Sequence, residues 1–331
     1  MKFIDLHCDT IAAIYEARKK GMDAELKENI GHIDLVRLKK GECFGQNFAL
    51  FTHLGREKDP YSYAKALVET YRAEMEANSD VIRPAASVKA MLENEAVGRI
   101  SAVLTLEEGA VCRGDTEILR EFYREGVRMM TLTWNIENEL AWPNRIDRKT
   151  GACAPETEHG LKKKGVEFVE LMEELGMAVD VSHLGDAGFW DVARVMKKPF
   201  LASHSNARAV ASHVRNLTDE MIRTLSERGG IMGINYCGAF LNDSQLAYQG
   251  GGASRIGDMV RHIRHIRKVG GIECIGLGSD FDGIGGELEL DSPAALFRLE
   301  EELYRHGFTV GEVEKIFWKN AFRFYQEVWN M

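Results

Sequence analysis

Short apolar runs recur along the chain, each followed by a polar cluster and then by a longer stretch with helical periodicity. The runs are Phe3–Leu6, Phe44–Phe51, Ile100–Leu106, Val127–Leu132, Met177–Val181, Pro199–Ala202, Gly230–Asn235 and Cys274–Leu277. Unbroken apolar character over so few residues predicts strands covered on both faces, as in a parallel sheet, rather than helices. Between the runs, the spacing predicts a helix over Tyr61–Ala77, entered through Asp59-Pro60, because proline is tolerated in a first helical turn. Asp186 is expected to cap a helix carrying Phe189, Trp190, Val192, Ala193 and Met196. Thr218 opens another, with Asp219 and Glu220 favourably placed in its first turn. Near the end, Thr309-Val-Gly-Glu312 has the spacing of a capping box, ahead of a terminal helix rich in Phe and Trp.

Strands alternating with helices imply parallel neighbours, which can be joined only by crossover connections. Eight such units in a chain of 331 residues predict one (β/α)8 TIM barrel domain over residues 1–331. A doubly wound open sheet is the alternative, but no Gly-x-Gly-x-x-Gly turn follows the first run. A long loop after strand 4, from Asn135 to about His159, contains Trp142-Pro143-Asn144-Arg145. It is expected to form a lid or a substrate wall, with a surface excursion as the other reading.

Composition narrows the partners. The formal net charge of −9 argues against a nucleic acid, which calls for a basic surface. No apolar stretch approaches the ~20 residues needed to cross a bilayer, so no membrane partner is expected. With the first strand expected to start by Phe3, no secretory leader is expected. Six cysteines without Cys-x-x-Cys spacing suit reduced thiols, and a cytoplasmic location is expected.

In a barrel of this kind chemistry sits where strands end. His7 and Asp9 follow the first run, Glu107 and Glu108 the third, and Ser182-His183 the fifth. Ser203-His204-Ser205 leaves the sixth, and Gly278-Ser279-Asp280-Phe281-Asp282-Gly283 leaves the eighth. In extended backbone His7 and Asp9 share a face, giving one imidazole and one carboxylate side by side. Three histidines with several carboxylates converging on one rim are able to hold two divalent cations that share a carboxylate. Such a pair, roughly 3.5–4 Å apart, activates water and polarises a carbonyl. Zinc suits mixed nitrogen and oxygen ligands, while ligand type alone leaves manganese and iron open. His262 and His265 lie in Arg261-His-Ile-Arg-His-Ile-Arg-Lys268 and are expected on a solvated helical face. His32, His53, His159, His213 and His306 follow no comparable strand exit and are set aside.

These fragments, in this order, resemble the zinc-dependent membrane (renal) dipeptidase family of amidohydrolase-like barrels. The resemblance runs through Asp5-Leu6-His7-Cys8-Asp9-Thr10, Leu106-Glu107-Glu108-Gly109, Asp180-Val-Ser-His183 and Ala202-Ser-His204-Ser205. It continues through Val214-Arg215-Asn216, Ile234-Asn235-Tyr236 and Gly278-Ser-Asp280-Phe-Asp-Gly283. It implies that His7, Asp9 and Glu107 bind one Zn2+ and that Glu107 bridges to a second Zn2+ on His183 and His204. It also implies Asp280 as the acid/base, Arg215 as the anchor for a substrate carboxylate, Tyr236 as a pocket wall, and a homodimer.

One position departs from the renal-type pattern. Trp134 stands where those enzymes carry a His that is thought to help stabilise the oxyanion. An indole donates one hydrogen bond but exchanges no proton at neutral pH. Trp134, Asn135, Asn138 or zinc alone are the candidates for that task, or the pocket is reshaped for another substrate. The expected activity is hydrolysis of dipeptides by attack of a metal-bound hydroxide on the peptide carbonyl. The rivals are an N-acyl amino acid deacylase on the same scaffold and a non-catalytic metal-binding protein.

Overall fold

Every one of the eight apolar runs contains a strand, and each of these strands pairs in parallel with at least two others. In the computed structural model, which describes residues 1–147, 152–243 and 252–329, eleven strands are present among the described residues. They are β1 (Phe3–Asp5), β2 (Cys43–Phe51), β3 (Ile82–Pro84), β4 (Ile100–Glu107), β5 (Val127–Thr131), β6 (Arg145–Ile146) and β7 (Cys153–Ala154). The remainder are β8 (Ala178–Asp180), β9 (Leu201–Ala202), β10 (Ile231–Ile234) and β11 (Ile275–Leu277). The sheet order β2-β1-β11-β10-β9-β8-β5-β4 closes on itself through β2 and β4, in register from Gly45 opposite Ser101 to Phe51 opposite Glu107. That ring is a (β/α)8 barrel. The unforeseen β3 lies outside it, paired with the first residues of β4, and its Arg83 and Pro84 are exposed, which hid it from an apolar-run search.

Inside the lower half of the barrel, Ile4, Leu6, Val103, Met129, Leu201 and Ile231 pack against Phe324, Tyr325, Val328 and Trp329 of the C-terminal segment. Those aromatic side chains plug the floor, so the rim at the strand C-terminal ends is the open face. The helix starts follow local chemistry. Asp59 accepts from Ser62 N at the entry to Pro60–Ala77, Thr218 accepts from Met221 N, and Thr309 with Glu312 forms the reciprocal box. Asp186 does not cap its helix: Gly185 is the cap residue, and the Asp186 carboxylate instead takes both guanidinium arms of Arg208, at 2.6 and 2.8 Å. The terminal segment is a helix over Val310–Glu314, a wider π turn over Lys315–Lys319, and a second helix over Asn320–Val328.

The long loop after β5 is fastened down where it is described; its residues 148–151 lie outside the described residues. β6 and β7 form a short antiparallel pair, Arg145 opposite Ala154. Asn144 ties the loop to the next unit, accepting from Glu156 N and Asp186 N and donating to Asp186 and the Val214 carbonyl. No helix among the described residues is long and apolar enough to cross a membrane.

Candidate metal centre

Five separate strand exits bring their polar residues to one point on the open rim. His7 lies two residues beyond the end of β1, and Asp9 sits at the entry to the helix Thr10–Lys19 and makes no cap bond there. The chain turns between them, yet His7 Nε2 and Asp9 Oδ1 still lie 3.6 Å apart. Glu107, the last residue of β4, divides its carboxylate. Oε2 faces His7 Nε2 at 3.1 Å, while Oε1 faces His183 Nε2 at 3.1 Å and His204 Nε2 at 3.6 Å. Three groups of three possible ligands result among the described residues: His7/Asp9/Glu107 and Glu107/His183/His204, which share the Glu107 carboxylate, and His7/His204/Asp280.

Hydrogen bonding leaves the Nε2 atoms of His183 and His204 free to face a cation. His183 Nδ1 is 2.9 Å from the acceptor Asn135 Oδ1, so Nδ1 carries the proton and Nε2 the lone pair. His204 Nδ1 is likewise engaged, by Ser203 Oγ at 2.7 Å. The two Nε2 atoms therefore stand 2.9 Å apart with their polar edges facing each other and Glu107. Burial holds both imidazoles well below the usual histidine range, with Arg215 and His7 adding to the effect. For His7, burial acts in the same sense, but Glu107 and Asp9 outweigh it and hold that ring well above the usual range. Burial pushes the Glu107 carboxyl up to about 8, against the opposing pull of His7 and with Asp9 contributing. Both His7 ring nitrogens and Asp9 Oδ1 are buried without a hydrogen-bond partner. Buried polar atoms left unpaired are costly, and metal coordination is one way to satisfy those that carry a lone pair.

Behind the imidazoles lie two buried Asp–Ser clamps. Asp180, at the end of β8, accepts from Ser182 N, Ser182 Oγ, Ser203 N, Ser203 Oγ and Thr131 Oγ1 at 2.5–3.0 Å. Asp5, at the end of β1, accepts from Ser279 N, Ser279 Oγ and Gln46 Nε2. In each case the serine immediately precedes a rim residue, His204 or Asp280. Gly278 permits the approach, since a Cβ there would lie 1.9 Å from the Ser203 carbonyl oxygen. Replacing Asp180 by Ala is expected to weaken metal retention roughly 10–100-fold, the usual effect of losing a ligand's outer support. Competition against a chelator measures it, and unchanged retention would count against the clamp.

Asp280 stands beside this centre at φ +62°, a conformation uncommon for a residue with a side chain. Its Oδ2 accepts from Asn235 Nδ2 at 2.9 Å and its Oδ1 lies 3.9 Å from His7 Nε2. Burial raises its carboxyl to about 6, with His7 opposing and Asp9 reinforcing. The Asp282 carboxylate accepts from Thr10 Oγ1 and His32 N. Glu108 points away from the centre at φ +110°, accepting from Ala110 N, Trp134 N and Asn138 Nδ2.

A cavity of about 430 Å³ opens over the centre, and Asp9, Glu107, His183, Arg215, Asp280 and Trp134 all line it. Arg215 is only 3% exposed, donating to the carbonyls of Ser182 and His204 with Nη2 3.0 Å from His183 Nε2. Tyr236 does not reach the cavity: it is 1% exposed and packs edge-on against Phe281, and its neighbour Cys237 lines the wall instead. The loop after β5 contributes Asn135 and Ile146 to the wall.

His53 was set aside on sequence and belongs here, lining the cavity with its ring 4.8 Å from that of Trp134. It lies two residues beyond the end of β2, which was the available clue. His262 is the reverse case. It is fully buried, receiving Ala207 N on Nδ1 and facing the Leu241 carbonyl through Nε2, so the solvated face begins at its neighbours.

Residues 1–331 match the family described as Membrane dipeptidase (Peptidase family M19). The chain belongs to that family. Membership makes it a metallopeptidase of the dipeptidase type. It is 31% identical over 298 residues to an uncharacterized dipeptidase of Schizosaccharomyces pombe, covering 86% of this chain and 69% of that protein. It is 32% identical over 237 residues to an uncharacterized Klebsiella pneumoniae protein encoded in the pqqA 5' region, covering 70% and 83%. The M19 dipeptidase fold extends over the whole molecule. The crystal structure of dipeptidase AC superposes with a TM-score of 0.89 at 24% identity, covering 100% of this chain and 99% of that one. A Rhodobacter sphaeroides metallopeptidase, liganded with a phosphinate mimic of L-Ala-D-Ala, superposes with a TM-score of 0.87 at 23% identity, covering 99% of both chains.

Proposed function

We propose that this M19 protein is a binuclear zinc dipeptidase, with His7 and Asp9 holding one cation, His183 and His204 the other, and Glu107 bridging. The observation that carries the reading is the division of the Glu107 carboxylate, one oxygen toward His7 and the other toward the His183–His204 pair. Two divalent cations, when bound there, lower the pKa of a water toward ~7 and polarise a carbonyl. The protein's own groups supply the rest. Asp280 takes the proton of the attacking water and delivers it to the departing amine, a task that calls for a carboxylate near neutrality and within reach of both atoms. Asn235 fixes its orientation through the bond to Oδ2. Arg215 offers its guanidinium to the substrate's terminal carboxylate from the floor of the cavity. Trp134 and Phe51, whose rings are 5.0 Å apart, form an apolar wall that excludes water from one side.

The same wall favours one alternative, an N-acyl amino acid deacylase, since it would receive an acyl chain as readily as a side chain. A cytoplasmic setting fits six cysteines that all remain unpaired. The deciding experiment pairs metal analysis with turnover of a dipeptide library, L and D at the C-terminal residue, alongside N-acyl amino acids. Cleavage of dipeptides that disappears on chelation and returns with Zn2+ is expected. Full activity in metal-stripped protein would refute the reading, and turnover of acyl amino acids alone would select the alternative.

A further inference from the structure

We propose that Arg56 selects substrates whose N-terminal residue carries a carboxylate side chain, such as Glu-Xaa and Asp-Xaa dipeptides. The inference rests on the dipeptidase reading and adds to it a substrate class. Its basis is the charge left in the cavity. Three carboxylates line it, Asp9, Glu107 and Asp280, and the dipeptidase reading gives each a role in holding cations or moving a proton. The formal charges that remain among the described lining residues are two guanidiniums, Arg215 and Arg56. Arg215 is sunk beside His183, whereas Arg56 is exposed at the mouth. No hydrogen bond or ion pair engages the Arg56 side chain among the described residues.

The position of Arg56 is built rather than incidental. The turn that carries it is anchored at Thr52, whose N–H donates to the Glu107 carbonyl, and closes with Arg56 N and Glu57 N both donating to the His53 carbonyl. Gly55 N donates to His53 Nδ1, and a Cβ at Gly55 would come within 2.9 Å of that ring. The His53 ring lies against Trp134. A rigid aromatic wall therefore presents the guanidinium to the cavity.

The side on which it stands assigns the substrate residue. Arg215 touches the His183–His204 half of the centre. Arg56 stands on the other half, sharing with Asp9 and His53 a second cavity of about 280 Å³ that opens beside the first. A substrate with its terminal carboxylate on Arg215 and its scissile carbonyl over Glu107 extends its N-terminal side chain toward Arg56. In the second cavity Glu16 is taken by Lys19 and Tyr63, and Asp282 by Thr10 and the His32 amide. Glu57 lines that second cavity but not the first, so a carboxylate arriving from the centre meets Arg56 before it.

The test compares kcat/KM for Glu-Ala against Gln-Ala and for Asp-Ala against Asn-Ala, with Ala-Glu against Ala-Gln as the opposite arm, on the zinc-loaded protein. A charged hydrogen-bonded pair at a partly exposed site predicts a preference of about tenfold for the acid in the first two pairs, carried mainly by KM. Arg56→Gln should bring those ratios close to one, and Arg56→Glu should turn them toward Lys-Ala. Because each ratio is internal to one preparation, partial misfolding of a variant cancels. Ratios near or below one in the unaltered protein overturn the inference while leaving the dipeptidase reading in place. So does an acid preference confined to Ala-Glu. Failure to cleave any dipeptide, neutral ones included, overturns the dipeptidase reading itself.

Discussion

Glu107→Gln protein is expected to lose both cations together and, with them, its peptidase activity. Glutamine keeps the shape of the side chain and its place at the end of β4, so the barrel has no reason to change. What disappears is the negative charge that both halves of the centre share, and one of the two oxygens that face them. The remaining proposed ligands, His7 with Asp9 and His183 with His204, are then two pairs, short of the three protein ligands usual for catalytic zinc. The loss of affinity should far exceed the roughly 10–100-fold expected for Asp180→Ala, because a shared ligand is removed rather than its support. Metal content per chain, measured by elemental analysis after dialysis, provides the check, with circular dichroism to verify the fold. Two equivalents retained at near-normal turnover would remove Glu107 from the bridging role.

Asp280→Asn should behave differently. The amide fills the same space and its oxygen can still accept from Asn235 Nδ2, so the site's geometry is preserved. It can neither take a proton from water nor pass one to an amine, and general acid–base contributions of this kind are worth roughly 10²–10⁴-fold. The loss should fall on kcat, with metal content and KM for a neutral dipeptide close to those of the parent. Asp280 lies 3.9 Å from His7 Nε2 and shares a possible ligand group with His7 and His204, so a ligand role is the rival explanation. Loss of metal in step with kcat would establish that rival, and an unaffected kcat would remove Asp280 from the reaction.

The barrel was legible because its strands are covered on both faces and so stand out as apolar runs, from Phe3–Leu6 to Cys274–Leu277. The short β3 escaped because two of its three residues are exposed, leaving no apolar run to find. Helix starts were legible where a side chain caps its own turn, as at Asp59, Thr218 and Thr309. They were not where a distant partner competes, as Arg208 does for Asp186. His262 reads as part of a basic, solvated stretch, yet the neighbouring Ala207 amide and Leu241 carbonyl give its two nitrogens buried partners.

The sequence by itself determined the alternation of strand and helix, the polar residues at the strand exits and, through their order, the family. These are local properties: runs, spacings and caps carry them in a few consecutive residues. Only the tertiary structure decided that Glu107 splits its two oxygens, that Tyr236 is set back behind Phe281, and that His53 and Arg56 join the cavity wall. Those outcomes depend on which strands close the ring and on how closely the exits approach across it, and such distances are set by pairings between residues far apart in the chain.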